Sequence, residues 1–197
     1  MEFTDGEVVI EKEPSELDEL VIDVVRILDE VGIEYVVVSG YVAVLFGRAR
    51  ATEDIDVLVE PFDEATADEA VDRLRDAGYW GSAMPLEDLY ETLSDDLPVR
   101  IAEDGDIVPN IELKFATDEY DHLSLQNTVT VRLSGNEIRV GSLEFQIAYK
   151  LGMDTPKDFE DALYLYEVIG RNLNTNRLEG YVERLGVEDA YERLQRS

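Results

Sequence analysis

Apolar residues return at helical spacing early in the chain. Leu17, Leu20, Val21, Val24, Ile27 and Leu28 share one face, which predicts a helix over residues 16–31. Ser15 stands at its N-cap with Asp18 three residues on, a capping-box spacing, and Gly32 ends it. Ahead of it, Val8-Val9-Ile10 reads as a short edge strand interrupted by Pro14. The β-branched run Glu34-Tyr35-Val36-Val37-Val38, bounded by Ser39-Gly40, predicts a buried strand. A short helix over 41–46 stops at Gly47. The polar loop 48–53 then leads into Asp54-Ile55-Asp56-Val57-Leu58-Val59-Glu60, a strand that alternates only at its start.

Helical spacing returns over 64–77 and stops at Gly78. Residues 79–96 fit neither period well, and a broken helix around 86–93 is the best reading. Residues 98–102 and 107–115 read as strands joined by the turn Glu103-Asp104-Gly105-Asp106. Residues 128–133 and 137–140 read as a hairpin around Ser134-Gly135-Asn136. From Ser142 onward the pattern is helical, over 143–151, 156–169, 175–185 and a short segment from Val187, with Pro156 as a first helical residue. There is no internal repeat. The expected fold is α+β: a mixed β-sheet with flanking helices over residues 1–141, followed by a C-terminal helical subdomain over 142–197.

Composition narrows the function classes. The 197 residues hold 46 Asp plus Glu against 17 Lys plus Arg, a formal net charge of −29. At 45% hydrophobic the chain can bury a real core and is no disordered acidic tail. So negative a field repels phosphates, so direct binding to nucleic acid or to an anionic membrane is not expected at low salt. Acidic residues occur in every segment, and the basic ones are 13 Arg and only four Lys. That pattern suits a surface adapted to molar salt, where the Debye length is ~3 Å, and a salt-loving host is expected. The absence of cysteine excludes disulfides and thiolate zinc sites. No apolar run approaches ~18 residues and the N-terminal residues do not resemble a signal peptide, so a soluble cytoplasmic protein is expected.

The chemistry concentrates between Val36 and Glu60. Residues two apart on a strand face the same side, so Asp54 and Asp56 present two carboxylates about 7 Å apart at Cα, from a rise of ~3.3 Å per residue. Like charges that close call for a hard cation, Mg²⁺ above all, which shares such ligands with substrate phosphates. Gly40 permits close approach of a phosphate to the backbone. Among 46 acidic residues such pairs also arise by chance as a solvated face, but Ile55, Val57, Leu58 and Val59 set this one at the mouth of a buried strand. On Ile111-Glu112-Leu113-Lys114-Phe115, Glu112 shares a face with Asn110 and Lys114 and completes a three-carboxylate cluster if that strand adjoins the first. An ordinary surface Glu–Lys pair is the plainer alternative. His122, the sole histidine, reads as a surface residue. Tyr79, Trp80, Tyr164 and Tyr166 read as core residues rather than base-stacking platforms.

Ser39-Gly40-Tyr41-Val42-Ala43-Val44-Leu45-Phe46-Gly47 followed by Arg50-x-Thr52-x-Asp54-Ile55-Asp56-Val57 resembles the signature of the DNA polymerase beta-like nucleotidyltransferase superfamily, especially its AbiEii-type branch. Lys150 and the later Lys157-Asp158-x-x-Asp161 are similar to a second pattern of that branch. The resemblance implies a nucleotidyltransferase-like fold and transfer of an NMP from NTP to an acceptor hydroxyl. It implies Asp54, Asp56 and Glu112 as ligands of one or two Mg²⁺, with Mn²⁺ as substitute. It implies Lys150 as a catalytic cation, and Ser39, Gly40, Arg50, Thr52, Lys157 and Asp158 as nucleotide-binding. The chain departs from the pattern in carrying Ser39-Gly40 where Gly-Gly or Gly-Ser is usual, and Glu112 where Asp is commoner. The alternative is a non-catalytic module on the same fold, serving nucleotide sensing or a toxin–antitoxin type protein partnership. The acceptor is not legible.

Overall fold

The computed structural model describes residues 1–4 and 6–197. Among these, the strands are β1 (Glu2–Thr4), β2 (Glu7–Ile10), β3 (Tyr35–Val37), β4 (Asp54–Val59), β5 (Tyr79–Gly81), β6 (Val99–Glu103), β7 (Asn110–Phe115), β8 (Thr128–Leu133) and β9 (Asn136–Gly141). They form one mixed sheet in the order β1-β2-β8-β9-β3-β4-β7-β6-β5. Its centre is apolar: Val36, Val37, Ile55, Val57 and Ile111 are fully buried. The helices are α1 (Glu16–Val31), α2 (Gly40–Leu45), α3 (Glu64–Asp76), α4 (Leu89–Ser94), α5 (Glu119–Gln126), α6 (Leu143–Gly152), α7 (Pro156–Ile169), α8 (Thr175–Leu185) and α9 (Glu188–Gln195). The α+β class and the mixed sheet with flanking helices are as the hydrophobic pattern predicts.

Local chemistry explains the element ends. α1 begins with a complete capping box between Ser15 and Asp18 and ends at Gly32, whose φ of 82° is the left-handed conformation glycine tolerates best. Thr155 caps α7 by accepting the Asp158 N–H, with Pro156 as its first residue. α1 lies against β9 and β7 with α3 beside it, while α5 lies against β3 and β4. No helix among the described residues is long and apolar enough to cross a membrane.

Several expectations are corrected. Residues 79–81 form the edge strand β5, paired only with β6, and the broken helix beyond it is a 3₁₀ turn (Leu86–Asp88) running into α4. The strand expected from residue 107 starts at Asn110, because Pro109 has no N–H to offer a ladder. Two elements were not anticipated, β1 and the Asp118-capped helix α5. Trp80 is exposed rather than core, its Nε1–H donating to the Asp106 carbonyl at 2.8 Å. Tyr79 is buried as expected, and His122 is half-buried at the surface, 3.7 Å from Glu60.

Candidate functional site

Parallel pairing of β4 with β7 assembles the acids. Register sets Asp54 beside Asn110 and Asp56 beside Glu112, on strands ~4.8 Å apart. Glu112 therefore does adjoin the Asp54-x-Asp56 strand, and all three carboxylates line one pocket. Ile55, Val57, Ile111 and Leu113 take the opposite face and are buried, which anchors the acids to rigid backbone.

Each acid is braced differently. Asn110, itself buried, donates from Nδ2 to Asp54 Oδ1 at 2.8 Å. Glu112 accepts from Arg100 Nε and Nη2 at 3.2 and 3.1 Å, Arg100 lying directly across on β6. Burial pushes the Asp56 carboxyl above its usual range. The charges of Glu112 and Asp54 add to this, while a hydrogen bond from Ser39 and the charge of Lys150 oppose it. An added cation would relieve Asp56.

The Ser39-Gly40 turn is fixed from two sides. Ser39 has φ 64° and ψ −135°, a conformation costly for a residue with a Cβ, by ~1–3 kcal/mol. Gln146, 3% exposed on α6, holds it by accepting the Ser39 N–H at 3.0 Å. Gly141 makes room for that carboxamide, since a Cβ there would lie 2.5 Å from Nε2. Gly40 has a comparable role that the sequence did not suggest. Its open side is filled by the Arg50 guanidinium, and a Cβ would stand 2.8 Å from Nη2. The glycine thus brings a guanidinium, rather than open space, against the turn.

Opposite the acids stands a basic wall. Lys150, only 3% exposed, donates to Asp158 at 3.2 Å and to Asp161 at 2.8 Å. Burial pushes the Lys150 ammonium down, and hydrogen bonding to Asp158 holds it up. Asp161 is fully buried and also meets Arg48 and Arg50, so three cations converge on one carboxylate. Arg50 Nε is buried without a hydrogen-bond partner among the described residues, a free donor whose desolvation an incoming acceptor would offset. Thr52 donates to the Asp54 carbonyl at 2.9 Å, tying the loop to β4. Lys157 and Asp158 line the same pocket, and Asp158 also accepts from Thr155 Oγ1.

The structure thus brings every candidate residue read from the sequence to one pocket: Ser39, Gly40, Arg50, Thr52, Asp54, Asp56, Glu112, Lys150, Lys157 and Asp158. Sequence reasoning missed Gln146, Arg100 and Asn110 as partners. Gln146 stands four residues before Lys150 on α6, so helical spacing from an expected site residue would have found it. Asp54 and Asp56 are the oxygen donors that a hard divalent cation could use here. Among the described residues no group of three or more His, Cys, Asp or Glu side chains is placed to hold a metal ion, so Asp54, Asp56 and Glu112 do not form the three-ligand site expected from the sequence; Mg²⁺ needs only one or two carboxylates when substrate phosphates supply the rest.

No known family description matches the chain, and no curated protein does either. Solved structures do. A nucleotidyltransferase-like antigenic protein from Paracoccidioides brasiliensis superposes with a TM-score of 0.56 at 18% identity, over 91% of this chain and 92% of that one. The antibiotic-resistance factor ANT(2'')-Ia gives a TM-score of 0.50 at 16% identity, over 90% and 94%. JHP933 from Helicobacter pylori gives 0.50 at 15%, over 93% and 96%. At such identities the likeness concerns architecture, and the architecture of this chain is that of the nucleotidyltransferase-like proteins.

Proposed function

We propose that this protein is a divalent-metal-dependent nucleotidyltransferase that moves an NMP from NTP to an acceptor hydroxyl. The observation that carries the reading is one pocket with an acidic wall, Asp54, Asp56 and Glu112, facing a basic wall, Arg50, Lys150 and Lys157. A metal-bound triphosphate complements both walls at once; a free cation or a free anion complements one.

Asp54 and Asp56 would hold Mg²⁺, or Mn²⁺ in its place, with Glu112 available to a second ion. Bound there, the metal would supply Lewis-acid stabilisation of charge on the phosphoryl oxygens. Arg50 and Lys150 orient the outer phosphates, held in place by the buried Asp161. Ser39, Gly40, Thr52 and Lys157 shape the approach, and Asp158 sets the position of Lys150. The acceptor oxygen bonds to the α-phosphorus as the bond to the β-phosphate's bridging oxygen breaks. Pyrophosphate leaves with that electron pair, and the hydroxyl proton passes to Glu112. Catalysis is then largely positioning and electrostatics.

Isothermal titration of ATP and Mg²⁺ in molar KCl tests this, the high salt matching the acidic surface. Metal-dependent ATP binding in the wild type that disappears in Asp54→Asn is expected. Binding in neither protein moves the reading to a non-catalytic module that pairs with a protein. The observation favouring that second reading is Glu112 Oε2, already occupied by Arg100.

A further inference from the structure

Ser39, Asp56 and Glu112 wall a second cavity, of about 220 Å³. Its lining continues along β4 and β7 to Leu58 and Lys114, whereas the lining of the polar pocket continues the other way, to Thr52 and Asp54. The two cavities therefore meet at the acids from opposite directions. Transfer at phosphorus places the attacking and leaving oxygens roughly in line. If pyrophosphate departs into the basic wall of Arg50, Lys150 and Lys157, the attacking hydroxyl must arrive from the second cavity.

That cavity has its own chemistry. Tyr120, Phe145 and Tyr149 form an aromatic wall, Phe145 and Tyr149 having ring centroids 5.7 Å apart and Tyr120 lying 6.4 Å from each. Tyr149 is 41% exposed, so its ring is available to a ligand. The charged lining is acidic: Asp56, Glu112 and Asp121 against the single cation Lys114, which is partnered by Asp96 at 3.8 Å. Burial pushes the Tyr149 phenol up, and the carboxylates of Asp118, Asp121 and Asp56 push it further. An exposed ring in a negative field attracts organic cations, while phosphorylated or polynucleotide acceptors are repelled.

Building on the transferase reading, we propose that the acceptor is a small hydroxyl-bearing organic cation. It docks on Tyr149, turns its charge to Asp121 and presents its hydroxyl to Asp56 and Glu112.

Choline and its neutral isostere, in which carbon replaces the ammonium nitrogen, differ by one charge at nearly constant shape. Ligand-observed NMR titration of both onto the full-length protein should show choline binding about tenfold tighter. The preference should fall to near parity in Tyr149→Leu and in Asp121→Asn, whose unaltered melting curves establish that they fold. Equal binding of the two probes overturns the proposal, as does a preference that survives both substitutions. So does displacement of choline by adenosine, which would make the cavity a nucleobase site. Metal-dependent ATP binding on the same samples separates the two readings. Its absence removes the transferase reading and this one with it; its presence without a choline preference removes only the acceptor class.

Discussion

Asp18 and Asp56 are carboxylates of one fold in opposite circumstances. Asp18, fully buried, accepts hydrogen bonds from Ser15 N at 2.8 Å, Ser15 Oγ at 2.7 Å and Tyr41 at 2.7 Å, and pairs with Lys12 at 2.9 Å. Burial pushes its carboxyl up, but these partners outweigh burial and hold it below its usual range. Asp56 has one hydroxyl from Ser39 and a distant Lys150, and it faces Glu112 and Asp54; its carboxyl lies above its usual range. Burial pushes both up, and the neighbours decide whether that push is outweighed. The partners of Asp18 complete it, while those of Asp56 leave it in need of a cation. A completed carboxylate holds structure together, and an incomplete one is poised to bind.

The contrast is most sharply broken by exchanging the consequences. Under the transferase reading, Asp56→Asn should lower turnover by ~10³-fold or more, as loss of a metal ligand in a charge-stabilising site does, while Asp18→Asn leaves turnover per folded molecule unchanged. Steady-state kinetics on both variants decides it, and equal losses would erase the distinction.

Stability should run the other way. Asp18→Ala leaves Lys12 and the Tyr41 hydroxyl without their buried partner and should cost about 3–5 kcal/mol in urea unfolding. The pH dependence follows from the signs. Because the folded-state value of Asp18 is depressed, its contribution is fully present above the unfolded value of ~3.9 and fades as pH falls through the folded one. The wild-type advantage over Asp18→Asn should therefore shrink below that point.

Asp56 has a raised folded value, so its charged form opposes folding once pH has risen through that value. Without metal, Asp56→Asn should melt above the wild type at neutral pH, and the gain should vanish as pH falls to ~4. Added Mg²⁺ should reverse the order, because only the wild type gains from binding. A wild type that melts higher at neutral pH without metal would contradict the incomplete state assigned to Asp56.

The smallest effect concerns the turn beside Asp56. Gly40→Ala forces the Arg50 guanidinium away and should weaken ATP binding by about tenfold, the value of one charge-assisted hydrogen bond, with the fold retained. Unchanged affinity would mean that Arg50 does not touch the nucleotide.

How much of this was legible follows the range of the interactions. The Ser15–Asp18 capping box and the Asp54-x-Asp56 alternation lie within a few residues and could be read directly. That Asp18 is also completed by Tyr41 could not, because the pair meets only when the start of α1 comes beside the start of α2. β5 escaped because three residues cannot display a period, and α5 because its apolar residues do not form a clear stripe. Gln146 and Ser39 are 107 residues apart, and Arg50 and Asp161 are 111 apart.

By itself, the order of residues determined most of the helical and extended segments, the caps of α1, and which acids share a strand face. Those properties arise from backbone geometry and the side chains of consecutive residues. Tertiary structure alone decided that β7 lies beside β4 with Glu112 opposite Asp56, that Arg50 fills the space over Gly40, and that a second, aromatic cavity meets the first at the acids. Such contacts are chosen by burial across the whole chain against the entropy of closing long loops. The burial that raises Asp56, and the charges that add to it, exist only once that choice has been made.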